Sequence, residues 1–367
     1  MRVLSIIGDM TLSEGGPPEV LRNQFSAINK EKKIIYLFNL KFIRLLYLVR
    51  CFIFRSYRKK IYRLLKKYDI IHFHELWTFK AIFIVYFANK LGIKHFYVGH
   101  GYLDPWSIKQ GYIKKKLFIK FFLQYAYNSA SAAFFSTFDE YIDARKNLKI
   151  HSPFIIPNGI NLSRFKKRIL SKKASKKKII FFGRIHKKKG LEILLKTITK
   201  LPDNFFNNFT FEITGPGQRK DVKFIKNLII NYKIEKRVNL NNPVISDQKV
   251  NYLSKHDIFI LPSFEEGDSI ALKEALASYL PVVISKQCRM DIVKDYNAGI
   301  VIDTNVESLY KALLSLDSLD LIKMGYQARK LIEEKYNNIN CSLRLLDIYK
   351  NIYCGSRISS DWLNTHE

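Results

Sequence analysis

Short apolar runs alternate with longer amphipathic stretches from one end of the chain to the other. Runs at 3–7, 33–38, 69–74, 94–101, 132–136 and 154–159 are rich in Ile, Val, Phe and Tyr, the composition of buried strands. Between them, segments such as 81–91 and 109–127 space their apolar residues as helices do. A second series opens at 178–182 and continues through 211–214, 238–240, 258–261, 282–284 and 300–302, and residues 306–353 read as helices. Strands alternating with helices at this rhythm predict an α/β fold with two doubly wound parallel sheets. The expected domains are 1–165 and 178–345, joined by a linker at 166–177. The linker assignment rests on 164–178, which carries nine Lys and Arg, no acid and few large apolar side chains. A C-terminal helix or tail at 346–367 has the option of packing back on the first domain, and its last dozen residues read as frayed.

In open α/β sheets, ligands bind beyond the carboxyl ends of the strands. The richest such turn follows 258–261: Pro262-Ser-Phe-Glu-Glu-Gly-Asp-Ser-Ile-Ala-Leu-Lys-Glu274. Pro262, Ser263 and Gly267 break the strand, and Asp268 or Ser269 can cap a helix over 269–279. Free amides and the dipole at a helix start favour a phosphate. Glu266 and Glu274 would repel a phosphate but suit hydroxyls. Phosphate with hydroxyls suggests a nucleotide sugar, and an ordinary strand-to-helix turn with two solvated glutamates fits the same residues. Arg184 and Lys189 follow the strand at 178–182 and offer cations to phosphate oxygens; in so basic a chain they also fit a solvated loop. Gly15-Gly16 after the first strand permits close backbone approach, or a plain tight turn. His100 lies between two glycines at a strand's end. His72 and His74 alternate on one strand, and without a third ligand at usable spacing they read as a structural pair rather than a metal site.

The formal charge of +30 calls for an anionic neighbour, whether membrane lipid, nucleic acid or a phosphate-rich substrate. Residues 41–67 hold ten Lys and Arg and no acid, interleaved with Phe42, Leu45, Leu46, Val49, Phe52 and Ile53. One or two basic amphipathic helices there, and another over 109–127, suit an anionic membrane surface; no nucleic-acid-binding motif accompanies them. No apolar stretch is long enough to span a bilayer, and the N-terminus reads as a strand rather than a signal peptide. The four cysteines have no metal spacing and are expected to be reduced.

Taken together, Gly15-Gly16, Ile156-Pro-Asn-Gly-Ile160, Gly183-Arg184 with Lys189-Gly190, Glu266 to Glu274, and Pro281-Val-Val resemble glycosyltransferase family 4, the retaining enzymes of GT-B fold, over most of the chain. His100-Gly-Tyr-Leu-Asp-Pro-Trp106 is similar to a subgroup found in bacterial surface-polysaccharide assembly. The resemblance implies two Rossmann-like domains facing across a cleft, and a hexose moved from a UDP or GDP sugar to a lipid-linked oligosaccharide. With the basic helices, the expected location is peripheral on the inner face of the cytoplasmic membrane, and no nucleic-acid partner is expected. It also implies that Arg184 and Lys189 hold the donor diphosphate, Glu274 the ribose hydroxyls and Glu266 the sugar. Amides of Gly267, Asp268, Ser269 and Ile270 would meet phosphate, Gly15 and Gly16 would close over it, and His100 would approach the sugar. No Asp-x-Asp occurs, so no metal or other cofactor is expected. Where many members have Glu-Gly-Phe-Gly, this chain has Glu266-Gly267-Asp268-Ser269, which leaves the sugar contacts open. A GT-B nucleotide-sugar epimerase and a catalytically silent GT-B scaffold are the alternatives.

Overall fold

The computed structural model describes residues 1–8, 16–28, 35–42, 44–167, 176–244 and 248–356. Gly15, the core of the expected linker at 168–175, and the tail from 357 onward lie outside the described residues.

The described chain forms two compact units, residues 1–159 with 338–367, and residues 160–337. In the first, six strands form one parallel sheet: β1 (Val3–Ile7), β2 (Ile35–Asn39), β3 (Ile70–Phe73), β4 (Lys94–Val98), β5 (Ala132–Phe135) and β6 (Pro153–Ile155), in the order β2-β1-β3-β4-β5-β6. In the second, β7 (Lys177–Phe182), β8 (Phe209–Thr214), β9 (Val238–Asn241), β10 (Ile258–Leu261), β11 (Val282–Ser285) and β12 (Gly299–Ile302) order as β12-β11-β10-β7-β8-β9, again all parallel. Every residue of β1, β3, β5, β10 and β11 is buried. Helices cover both faces of such sheets, which is why these strands read as unbroken apolar runs rather than alternating ones.

Each sheet has one place where the strand order reverses: between β1 and β3 in the first unit, and between β7 and β10 in the second. The loops leaving those strands diverge and open a crevice. In the first unit the long final helix, Asn338–Cys354, packs on the helix Gly16–Ile28. Asn338 Nδ2 donates to the Asn23 carbonyl (3.2 Å), and Asn23 Nδ2 to that of Gly159 (3.1 Å). Its Tyr349 is fully buried against Phe96, Phe134 and His72.

Two expectations change in detail. The basic segment 109–127 is a broken helix rather than a continuous one. It splits after Pro105–Lys109 at Gly111, whose φ of 78° a helix interior cannot hold, and then runs through Tyr112–Phe118, a π-helical turn at Ile119–Leu123, and Gln124–Ser129. The fourth strand stops at Val98, because His100 and Gly101 turn into left-handed backbone (φ 47° and 69°). Residues 41–67 form two helices, Leu45–Ile53 and Arg55–Leu65, hinged at extended Phe54.

Candidate functional site

In the second unit, the loops after β7 and β10 meet at the point where the strand order reverses. The β7 loop carries Arg184, exposed, and then the turn Lys187–Lys189 ending at Gly190. Gly190 has φ 70°, and a Cβ there would overlap the Pro262 carbonyl oxygen, so only glycine lets the two loops close on each other. Phe264 N–H donates to the Lys188 carbonyl across the seam (2.8 Å), and Ser263 Oγ lies 3.0 Å from the same oxygen. Across this seam Lys189 Nζ reaches both oxygens of Glu266, at 2.6 and 2.8 Å. The one Ser263 hydroxyl proton goes to the same carboxylate, the closer and charged acceptor at 2.6 Å, and the Glu266 N–H is tied to the Gln287 carbonyl. Glu266 is buried and Lys189 half-buried, so the pair is held where screening by water is weak. His186 lies in the same loop. Burial lowers its pKa, and the charges of Arg184, Lys189 and Lys188 act in the same direction against an opposing Asp221, a sign of the positive field here.

The helix Ile270–Ala277 starts beside this pair. Ser269 is its N-cap and accepts from the Leu272 N–H; the other first-turn amides are those a helix cannot bond internally. Asp268 does not face outward. Its side chain, 3% exposed, is paired with the fully buried Lys273 at 2.6 Å. Glu274, also buried, lies 3.5 Å from Lys249. Arg184, Lys189, Glu266, Gly267, Asp268, Ser269, Ile270 and Glu274 therefore all stand on the two loops, or the helix they lead into, at one strand-order reversal. Ser263, Gly190 and Lys273 complete this corner; the sequence reads Ser263 as a strand breaker and Gly190 as part of the Lys189-Gly190 motif, and gives none of the three a role in binding. Ser263 and Lys273 look there like ordinary turn and solvated-helix residues, while a glycine closing a lysine run is a readable signal for Gly190.

The first unit holds the remaining candidates. Gly16 begins the helix after β1. His100 sits just past β4 with its Nε2 3.0 Å from Nδ1 of His74, whose ring is stacked on it at 5.2 Å. On the other side His74 lies against His72 at 4.2 Å, and His72 Nδ1 is bonded to the Tyr349 hydroxyl. The expected structural pair is thus a row of three rings, the third ring brought in from 26 residues away. Burial pushes His72 down to about 3 and His100 to about 4, and holds His74 well below the usual histidine range. Among the described residues no group of three His, Cys, Asp or Glu side chains is placed to hold a metal. Glu140, three percent exposed, fixes the turn from below: its carboxylate accepts from the Gly101 and Ser136 N–H groups. Nothing in the sequence marks Glu140, which lies 39 residues from the turn it holds.

Residues 163–336 match the family model described as Glycosyl transferases group 1, and residues 14–164 that of Glycosyltransferase Family 4. An uncharacterised glycosyltransferase of Methanocaldococcus jannaschii, MJ1069, is 27% identical over 199 residues, covering 50% of this chain and 48% of that protein. The Escherichia coli UDP-Gal:alpha-D-GlcNAc-diphosphoundecaprenol alpha-1,3-galactosyltransferase is 26% identical over 215 residues, 53% of each chain. The chain thus spans about half the length of these curated relatives. Among solved structures, Anabaena Alr3699/HepE in complex with UDP and glucose superposes with a TM-score of 0.76 at 14% identity, over 95% of this chain and 99% of that one. Family models match both halves and the fold agrees throughout, so the chain belongs to the group 1/family 4 glycosyltransferases of GT-B fold.

Proposed function

We propose that the chain is a retaining glycosyltransferase that moves a hexose from a nucleotide diphosphate sugar, UDP- or GDP-linked, to a lipid-linked oligosaccharide in bacterial surface-polysaccharide synthesis. The observation that carries this reading is the Lys189–Glu266 pair, held across the seam between the β7 and β10 loops beside the start of a helix. In this reading Lys189 and Arg184 bind the diphosphate and stabilise the charge that grows on it as the bond to the anomeric carbon breaks. The amides around Ser269 take phosphate oxygens, Glu274 takes ribose hydroxyls, and Glu266 keeps the Lys189 ammonium in place and reaches the sugar. The acceptor hydroxyl forms the new bond to the same carbon and gives up its proton to the departing phosphate. Support for a UDP sugar comes from the name of the E. coli relative and from the UDP and glucose bound to HepE. Support for a lipid-linked acceptor comes from the same relative's diphosphoundecaprenol substrate and from the basic aromatic helices of the first unit.

Thermal-shift titration with UDP, GDP and their hexose conjugates tests the donor. A rise in melting temperature with one nucleotide family is expected, since a ligand that binds only the folded chain stabilises it. Lys189→Ala and Arg184→Ala should each lower turnover about 100- to 1000-fold, the usual loss for one transition-state donor. Turnover near wild type in both variants would remove the phosphate role given to them.

A further inference from the structure

The row of histidines in the first unit contains a buried polar atom with no partner. Among the described residues, His74 makes one side-chain hydrogen bond, from Nδ1 to His100 Nε2, and its own Nε2 is buried and unbonded. A neutral imidazole carries one proton, so the pair has two possible arrangements. If His100 donates, its proton is on Nε2 and the His74 proton falls on its buried Nε2, an N–H with no acceptor. If His74 donates from Nδ1, the unbonded atom is a bare lone pair. Buried N–H groups without acceptors are rare in folded proteins, and unfilled acceptors are tolerated better. His72 is not placed to relieve the first arrangement, because its Nδ1 is bonded to Tyr349 and its Nε2 is buried without a partner.

We infer that His74 is a positioning residue: it donates Nδ1–H to His100 Nε2 and so fixes His100 as the tautomer with its proton on Nδ1. His100 then presents an N–H donor and has no basic nitrogen to offer. The backbone agrees with a fixed presentation, since His100 is held at φ 47° and the following amide is anchored by Glu140. Burial, which lowers all three histidines, keeps the ring neutral at pH 7. Other titratable groups around His100 are His74, His72 behind it in the row, and the Tyr102 ring at 6.4 Å. This inference rests on the proposed function in one respect only: there the Nδ1–H would meet a sugar hydroxyl or phosphate oxygen rather than abstract a proton.

Two-bond ¹H–¹⁵N correlation spectra of the full chain with ¹⁵N-labelled histidine, assigned with a His100→Asn variant, read the tautomer directly. His100 is expected to be neutral at pH 7 with its proton on Nδ1, and His74→Phe should shift it toward the Nε2–H form. A wild-type His100 protonated on Nε2, or one titrating near the ordinary value, overturns the inference whether or not the variant folds. In binding assays, His74→Phe should weaken UDP-glucose about tenfold and leave UDP unchanged. Equal affinity for UDP-glucose in a variant whose tautomer has shifted would overturn the positioning role. A wild-type chain that binds neither UDP nor UDP-glucose would count against the proposed donor, while the wild-type spectrum would still decide the tautomer.

Discussion

At the residue scale, Lys273 illustrates how a motif's departure is accommodated. Its ammonium is fully buried, paired with Asp268 at 2.6 Å and 4.1 Å from the centre of the Tyr336 ring. Asp268 stands where related motifs carry an apolar residue, and the lysine one helical turn on receives its charge inside the protein. Buried pairs contribute little net stability, but removing one partner strands the other. Lys273→Ala should therefore destabilise the second unit by about 3–5 kcal/mol, measured as a shift in the urea midpoint at unchanged slope. A change comparable to that of an exposed surface substitution would show that the pair is solvated. From the sequence Lys273 looks like any lysine on an amphipathic helix; its burial depends on the packing of Tyr336, 63 positions away, which no local pattern reports.

At the element scale, the strand and helix alternation was legible because parallel strands buried on both faces are continuous apolar runs, and both sheets follow it. The loops after β7 and β10 were legible for the same reason: polar and glycine-rich turns stand out against such runs. Contacts between distant strand ends were not, and the His74–His100 bond and the Glu140 anchor are of that kind. So is the polar cluster around Glu212 on β8. Its carboxylate accepts from His256 Nε2, Tyr252 Oη, Asn241 Nδ2 and Lys178 Nζ, all within 3.1 Å. Burial opposes its charge, yet these bonds outweigh burial and hold it at about 2. The two clusters begin to lose stability at different pH, and their windows overlap below 4.5. The histidines have folded pKa values below their unfolded 6.5, so the unfolded chain takes up protons first and stability falls as pH drops below about 6.5. Glu212 is depressed below 4.5, so its contribution is complete above that pH and fades as pH falls toward 2. Urea midpoints should fall from about pH 6.5 down through the folded histidine values of about 4 and 3, and more steeply below 4.5, where Glu212 joins them. Glu212→Gln should lower the midpoint at pH 7, removing charge-assisted bonds worth about 1.5–3 kcal/mol each, and flatten only the lower window. An unchanged lower window would assign acid sensitivity to other carboxylates.

At the scale of the whole molecule, the charge of +30 is not spread on neutral ground. On the first unit, the helix Phe79–Lys90 runs between the two basic segments and joins their aromatic residues into one band. Phe52 touches Phe83 and Tyr86 on one side, and Phe118 and Phe122 touch Phe79 on the other. Around this band Leu46, Ile53, Ile113 and Phe121 are each at least 60% exposed, and the flanking charges from 41 to 67 are all positive. Large apolar side chains left in water beside lysines and arginines are the composition of a surface that enters a headgroup layer. No helix among the described residues is long and apolar enough to cross a bilayer, so attachment through this band would be peripheral. The two forces are separable. Each Lys or Arg near an anionic surface adds about 1 kcal/mol and is screened by salt, whereas each inserted apolar side chain adds about 1.5–3 kcal/mol and is not. Vesicles with anionic lipid should therefore bind the chain at low salt, and vesicles of neutral lipid far more weakly. Ile53→Ser with Phe121→Ser should reduce partitioning at least tenfold at every salt concentration, while Lys59→Gln with Lys60→Gln should reduce it only at low salt. Partitioning that ignores lipid charge and both pairs of substitutions would leave the band without a membrane role.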